Sequence, residues 1–299
     1  MRFAYLVMAH NEPQIFHTLV RLLDDPRNDI FVHVDRRADA SLFQSATANF
    51  SRVYYIDSQI VNWGGVSQVA CELALFEAAS AHARYDYYHL LSGVDLPLKT
   101  QDEIHGEIDR DCRTEYITLV SDAANRADIE RKTSVYYLFE GHLRPGPGSF
   151  LSWCLFRSSY ALAKIQRLVG LRRRFGFEIR KGANWVSITD GLCRFLVSNK
   201  ERIMATFRHT LCPDELFIPT FIAGTEFESR IFMPVGDVSP CMRKIDWQRG
   251  APYTWKSADF DELISSGCWF ARKFSSSDLP LVRRIEEHLL RPGVSSRHS

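Results

Sequence analysis

Three stretches of this sequence place groups that could move a proton or hold an anion where secondary structure would aim them. Cys212-Pro213-Asp214-Glu215-Leu216-Phe217 sets two acids directly after a proline. Proline suits the first turn of a helix, and the positive end of the helix dipole favours Asp214 and Glu215 there. Leu216, Phe217, Thr220 and Phe221 recur at helical spacing, which predicts a helix anchored in a core with Glu215 facing a cleft. The plainer alternative is that both acids only satisfy the dipole. Trp269-Phe270-Ala271-Arg272-Lys273-Phe274 puts two cations after an aromatic run, and Ile30-Phe31-Val32-His33-Val34-Asp35 is an apolar run ending on a carboxylate. Such groups fit the displacement of a diphosphate by a hydroxyl: a base accepts the hydroxyl proton and positive charge stabilises the leaving group. Glu215 is the candidate base. A carboxylate is weakly basic near neutrality, and partial burial or a favourable geometry brings it into use.

Further segments share this order: Phe3 to Asn11, His33 to Arg37, Asn62-Trp63-Gly64-Gly65, His89 to Lys99, Asn184-Trp185-Val186-Ser187-Ile188-Thr189 and Ile245-Asp246-Trp247. With the three stretches above, the chain resembles the core-2/I-branching β-1,6-N-acetylglucosaminyltransferase family, glycosyltransferase family 14, which includes the peptide O-xylosyltransferases. The short length resembles bacterial members. The resemblance implies an α/β fold of the GT-A type, with a Rossmann-like, mostly parallel central sheet flanked by helices. It implies one catalytic domain over residues 1–299, with a nucleotide-sugar-binding half near 1–120 and an acceptor and catalytic half over 121–299.

The implied reaction is inverting and metal-independent, with no cofactor. N-acetylglucosamine moves from a UDP donor to a hydroxyl of a glycan or lipid-linked glycan, forming a β linkage. Ala271-Arg272-Lys273-Phe274 looks more like the xylosyltransferase branch, so UDP-xylose-dependent transfer to peptide or glycan is the alternative. A catalytically silent glycan-binding protein of the same fold is a third reading. Residue by residue, the resemblance carries Asp35 to the uridine-binding region and Val7 to an apolar wall beside it. It carries Arg249 and Lys273 to the diphosphate, with Arg272 and Lys244 as alternatives. Asp95, bracketed by Gly93 and Pro97, is placed at the donor pocket; a turn residue is the plain reading of it and of Asp35. Trp185 and Trp247 are candidates for stacking on acceptor sugars, although most aromatics are core. Asn62-Trp63-Gly64-Gly65 reads either as a donor-pocket loop or as the entry to a helix.

The elements that must position these groups alternate. Phe3 to Met8, Ile30 to Val34, Val53 to Ile56, Tyr87 to Leu91 and Tyr116 to Leu119 read as strands, with helices near Ile15 to Leu23, Val66 to His82 and Asp102 to Asp109. This predicts a largely parallel sheet covered on both faces, with ligands at the carboxyl ends of strands, where His10, Asp35 and Asp95 fall. Arg144-Pro145-Gly146-Pro147-Gly148-Ser149 is the clearest turn-rich break. Asp109-Arg110-Asp111 and Asp259-Phe260-Asp261 match the Asp-x-Asp form of a metal motif, but neither follows an apolar strand and both read as solvated helix faces. Seven scattered cysteines without a Cys-x-x-Cys pair read as mostly buried, reduced thiols. A net charge of +1 argues against a nucleic-acid-binding face spread over the molecule.

No targeting or membrane-spanning segment is visible, which points to a cytoplasmic enzyme at the inner membrane face. Residues 150–177 combine Phe150, Leu151, Trp153, Leu155, Phe156, Leu162, Ile165, Leu168 and Val169 with Arg157, Lys164, Arg167 and Arg172-Arg173-Arg174. Such a basic, aromatic segment can make peripheral contact with an anionic membrane. A helix packed on the core with a solvated basic end is the alternative.

Overall fold

The structure is a computed structural model that describes residues 1–108, 113–120, 123–144 and 150–291. Strands β1 (Phe3–Ala9), β2 (Asn28–Val34), β3 (Arg52–Tyr55) and β4 (Tyr87–Ser92) are parallel, and the later strand Ser187–Thr189 pairs antiparallel with β4. The sheet runs β3, β2, β1, β4 and then Ser187–Thr189. This is the mostly parallel α/β sheet flanked by helices that the resemblance implies.

The period of two explains why both faces are covered. Phe3, Tyr5, Val7 and Ala9 join one core with Ile15, Phe16 and Leu19 of the Pro13–Leu22 helix and with Leu281 and Ile285 of the Leu279–Leu290 helix. Ala4 and Leu6 point the other way, into a core with Val69, Leu73 and Phe76 of the Val66–His82 helix and with Leu192 and Leu196. A strand sandwiched in this way must be largely apolar, as β1 is throughout and β2 is at Ile30, Phe31, Val32 and Val34. After β3 the chain crosses to the far side of β1 to form β4, so the order reverses at the carboxyl end of β1. That reversal opens a crevice between the strand ends.

A second sheet closes this crevice. Strand β5 (Asp95–Pro97) pairs antiparallel with Phe270–Arg272, which runs parallel to Arg243–Ile245. Arg272 thereby stands opposite Asp95. Gly93 makes the tight step from β4 to β5 possible, since a Cβ there would meet the Ala9 Cβ at 3.1 Å.

Two expectations are corrected. Tyr116 to Leu119 is not a strand of the main sheet: Tyr116 makes one isolated bridge to Ser187, and only Leu119–Val120 pairs further, with Lys181–Gly182. The facing strand, Ser187–Thr189, is only three residues long, and on its edge away from β4 the Thr189 N–H donates to the Glu115 carboxylate instead of to a backbone carbonyl. Nor does one helix run on from Pro213. Pro213–Glu215 is a single 3-10 turn, and a five-residue helix, Phe217–Phe221, follows it. Pro219, which has no N–H to donate, forbids the bond that would join the two pieces into one regular helix. The core anchoring is as expected, with Leu216, Phe217 and Thr220 buried. Residues 109–111 and 145–149, which hold one Asp-x-Asp match and most of the turn-rich break, lie outside the described residues.

Candidate active site

At the carboxyl ends of β1, β2 and β4 lies a cavity of about 920 Å³, lined by Met8, Ala9, His10, Asp35, Ser92 and Arg272 among others. Asp35 is buried at its rim. Its two oxygens accept from the Arg37 guanidinium at 2.9 and 2.8 Å and from the Val61 backbone N–H at 3.0 Å. Burial works against its charge, but the bonds from Arg37 and Val61 win and hold its carboxyl down at about 2. Asp35 therefore braces the 59–62 loop over the cavity as a fixed anion. Val7 does not reach the cavity: it is fully buried in the core below, and β1 contributes Met8 and Ala9 instead.

Asn62-Trp63-Gly64-Gly65 serves both of the roles left open by sequence. Asn62 and Trp63 line the cavity, while Gly65 caps the Val66–His82 helix. A Cβ on Gly65 would stand 2.8 Å from the Glu140 carbonyl oxygen, so glycine alone fits that approach. The Gly64 carbonyl accepts from the Cys212 N–H at 2.8 Å, which ties this loop to Pro213-Asp214-Glu215.

On the opposite wall, Asp95 is buried and accepts from the Ser92 N–H and hydroxyl, both at 2.9 Å, and from Arg272 at 3.4 Å. It is a turn anchor and a counter-charge, and Arg272 is the side chain that enters the cavity. The guanidinium carbon of Arg272 lies 4.3 Å from the Trp185 ring centroid, and Trp185 also lines the cavity. Burial weakens the hold of Arg272 on its proton, and Asp95 and then Asp214 oppose that. Lys273, the next residue, is not among the residues lining the cavity.

Arg249 is placed elsewhere. It pairs with Asp246, with Asp259 at 2.8 Å and with Glu262 at 2.8 Å, and it stacks over Tyr253 and Trp255. Trp247 is exposed and does not line the cavity. The structure thus brings Asp35, Trp185 and Arg272 together in the lining, sets Asp95 behind Arg272 as its buried partner, and leaves Val7, Asp95, Glu215, Arg249, Lys273 and Trp247 outside the lining. Asp259 is a buried partner of Arg249 that also accepts from the Lys256 N–H, so it is not the solvated position expected from sequence. Among the described residues, no group of three or more His, Cys, Asp or Glu gathers as a metal site would require.

Glu215, expected to face a cleft, is not among the residues lining this cavity, and neither is Asp214, which is tied to it at one remove. Asp214 is buried, and its Oδ2 accepts from Gln68 at 3.3 Å and from Asn184 at 3.2 Å. Gln68 lines the cavity, as does Trp185, the residue after Asn184. Burial, and then the neighbouring Glu215, push Asp214 up to about 7. Glu72, fully buried with no hydrogen-bond partner for either oxygen among the described residues, is pushed far above the carboxylate range by burial and then by Asp214. Glu215 sits in a different medium. Its Oε2 accepts from Lys132 at 2.5 Å and faces Lys181 at 3.4 Å, while neither lysine engages Oε1. Asp128 holds both lysines from the other side, at 2.9 and 2.7 Å. The two adjacent carboxyls thus stand in unlike surroundings: Asp214 is buried among neutral amides and Glu215 lies beside two ammonium groups.

Asp214 carries a testable stability signature. Its folded value lies well above its ordinary value near 4, so between about pH 4 and 7 the folded state holds a proton that the unfolded state has released. Stability from this group is present at low pH and is lost as pH rises through 7. His33, His89 and His105, all lowered by burial, push the other way, and Glu115, raised by burial to about 7, pushes the same way. The test is therefore a difference. Asp214→Asn should gain on the wild type, by on the order of a few kcal/mol, as pH is raised from 5 to 8 in urea denaturation. A constant difference across that range would show that Asp214 does not titrate there.

With this geometry in place, the comparisons gain meaning. Residues 3–145 match the Core-2/I-Branching enzyme family. The chain is 21% identical over 329 residues to the xylosyltransferase oxt of Drosophila melanogaster, an alignment covering 99% of this chain and 34% of that protein. It is 24% identical over 326 residues to the beta-glucuronosyltransferase GlcAT14A of Arabidopsis thaliana, covering 98% of this chain and 65% of that one. The oxt protein of Drosophila pseudoobscura pseudoobscura is 22% identical over 322 residues, with 34% of its length covered. This chain thus spans about a third of the fly proteins and just under two thirds of the plant protein. These are animal and plant proteins and give no support to a bacterial-type assignment. The family match takes in the cavity residues from Met8 to Arg144, whereas Glu215 and Arg272 lie beyond it.

Proposed function

We propose that this chain, whose residues 3–145 match the Core-2/I-Branching enzyme family, is an inverting, UDP-sugar-dependent glycosyltransferase acting on a glycan hydroxyl. One observation carries the reading: base and cation are tied to the same two-residue step. Asp214, next to Glu215, holds Asn184, and Arg272 stacks on the adjacent Trp185. In the proposed step the acceptor hydroxyl gives its proton to Oε1 of Glu215, the oxygen away from the two lysines, as its own oxygen bonds to the anomeric carbon. The bond from that carbon to the diphosphate oxygen breaks, and the new negative charge settles on UDP beside Arg272. A single displacement of this kind inverts the anomeric centre and yields a β linkage from an α donor.

Asp35, with Arg37 and the 59–62 loop, frames the nucleoside end in this proposal. Side-chain cations take the part that a divalent metal plays in other enzymes, so turnover is independent of metal. For the donor, N-acetylglucosamine has the support of the family resemblance, and xylose that of the two fly proteins and of Ala271-Arg272-Lys273-Phe274. UDP-xylose, UDP-N-acetylglucosamine and UDP-glucuronic acid should be compared by thermal protection and by UDP release with a glycan acceptor. One donor is expected to support release that EDTA leaves unchanged. Loss of release in EDTA, restored by manganese, would overturn the role given to side-chain cations. Thermal protection by UDP without release from any donor would favour a silent glycan-binding protein.

A further inference from the structure

The helix Phe150–Leu168 is turned inside out for a helix packed on a protein core. Its buried residues are Ser159, Ala163 and Gln166, one stripe at i, i+4 and i+7 that is small or polar. The attachment is a polar clamp: the Gln166 side-chain oxygen accepts from the Tyr136 N–H at 2.9 Å, and its amide donates to the Tyr136 carbonyl at 2.8 Å. Leu155, Phe156, Tyr160 and Leu162 are half-buried, Tyr160 against the small cluster that holds Ala163, and the other large apolar residues lie outside. Phe150 is 81% exposed, Leu168 75% and Val169 71%, and Trp153, Ile165 and Leu171 are also exposed.

Charge identifies what would cover this face. Residues 150–177 contain Arg157, Lys164, Arg167, Arg172, Arg173 and Arg174 and no acid at all, although the whole chain is nearly neutral. Arg172 pairs with Glu130, and Arg173 is turned inward onto Thr210. Arg157 and Lys164 have no carboxylate partner among the described residues, and both stand on the outer face with Phe150 and Leu168. The Arg157 guanidinium carbon lies 5.8 Å from the Trp153 ring centroid, and Trp153 stacks on Phe150 at 6.2 Å, so cation and aromatics form one patch. Among the described residues no helix is long and apolar enough to cross a membrane.

We infer that this face lies in the surface of an anionic lipid bilayer, with the aromatic and aliphatic side chains among the acyl chains and Arg157 and Lys164 at the phosphates. The placement bears on catalysis. Ser152 of the same helix lines the active-site cavity, and its hydroxyl lies 3.1 Å from His142 Nδ1, also in that lining. A bilayer on the outer face would put the cavity mouth at the membrane surface, where the acceptor glycan of a lipid would reach it. That last consequence rests on the proposed glycan transfer; the docking itself does not.

Co-sedimentation with vesicles tests it without any turnover. The chain is expected to sediment with phosphatidylcholine vesicles containing about a third phosphatidylglycerol, to stay in solution with pure phosphatidylcholine, and to be released near 1 M salt, where the screening length is about 3 Å. Combined Phe150→Ser, Trp153→Ser and Leu168→Ser should weaken binding at least about tenfold while leaving thermal protection by UDP unchanged, and Arg157→Glu with Lys164→Glu should do likewise. No sedimentation with anionic vesicles, or sedimentation unaltered by both sets of changes, would overturn the inference. So would self-association in solution that the triple change abolishes, which would assign the face to a second copy. Failure of the donor assays with intact vesicle binding would instead remove the catalytic reading and leave the docking face standing.

Discussion

Glu215→Gln should leave UDP binding nearly unchanged and lower turnover by about 10²–10⁴-fold, the usual worth of general-base catalysis. The substitution keeps the shape of the side chain and removes only the ability to take a proton from the acceptor. The surroundings make it a clean probe. Lys132 and Lys181 contact Oε2, and a glutamine oxygen can still accept from them, so the Pro213–Glu215 turn has no reason to shift. If Glu215 served only the helix start, the loss would be about a kcal/mol or less of stability, with turnover near wild type. The structure weakens that plainer reading, since the segment is a single 3-10 turn with little dipole to satisfy. Isothermal titration with UDP and initial rates of UDP release separate the two, and near-normal turnover in a folded variant would remove the proposed base. Lys132→Met is a useful companion. It strips the buried ammonium from Oε2, and a fall in turnover with UDP binding unchanged would show that the lysine positions Glu215.

Local pattern made much of this arrangement legible. β1 is an apolar run and β2 and β4 carry apolar and aromatic stretches because both sheet faces are covered, and the Val66–His82 helix matches its expected bounds residue for residue. Asp35 follows the end of β2 and lines the crevice, as the strand pattern predicts. What sequence could not supply is direction. Residues 272 and 273 are both cations, and only the pairing of Phe270–Arg272 with β5 shows that Arg272 faces Asp95 and the cavity. Arg249 looks like an anion ligand in isolation, and its three carboxylate partners lie 3 to 13 residues away on turns that no periodicity reveals. Gln68, Lys132 and Lys181 were missed for a related reason: each sits in an ordinary helical or loop context and gains meaning only from Asp214 and Glu215, more than 30 residues off. Asp214 was read with the helix dipole, because burial, which sets it apart from Glu215, has no signature in Pro213-Asp214-Glu215.

The choice between the two neighbouring cations leads to the other large effect. Arg272→Ala should weaken UDP binding roughly 10- to 150-fold, as expected for loss of a charged hydrogen bond worth about 1.5–3 kcal/mol, and should lower turnover with it. Lys273→Ala should cost less, because Lys273 is not in the cavity lining. Removing Arg272 also leaves Asp95 buried without its counter-charge, so some stability is lost for a reason unrelated to UDP. Arg272→Lys separates the two effects. A lysine keeps a cation near Asp95 and so preserves the fold, but it lacks the planar fork that grips phosphate and stacks on Trp185. Thermal stability near wild type with UDP binding still weakened would assign the guanidinium to the diphosphate. If Lys273→Ala instead gave the larger loss while Arg272→Lys bound UDP normally, the leaving group would sit against Lys273, and the cation named first from the family resemblance would be the right one.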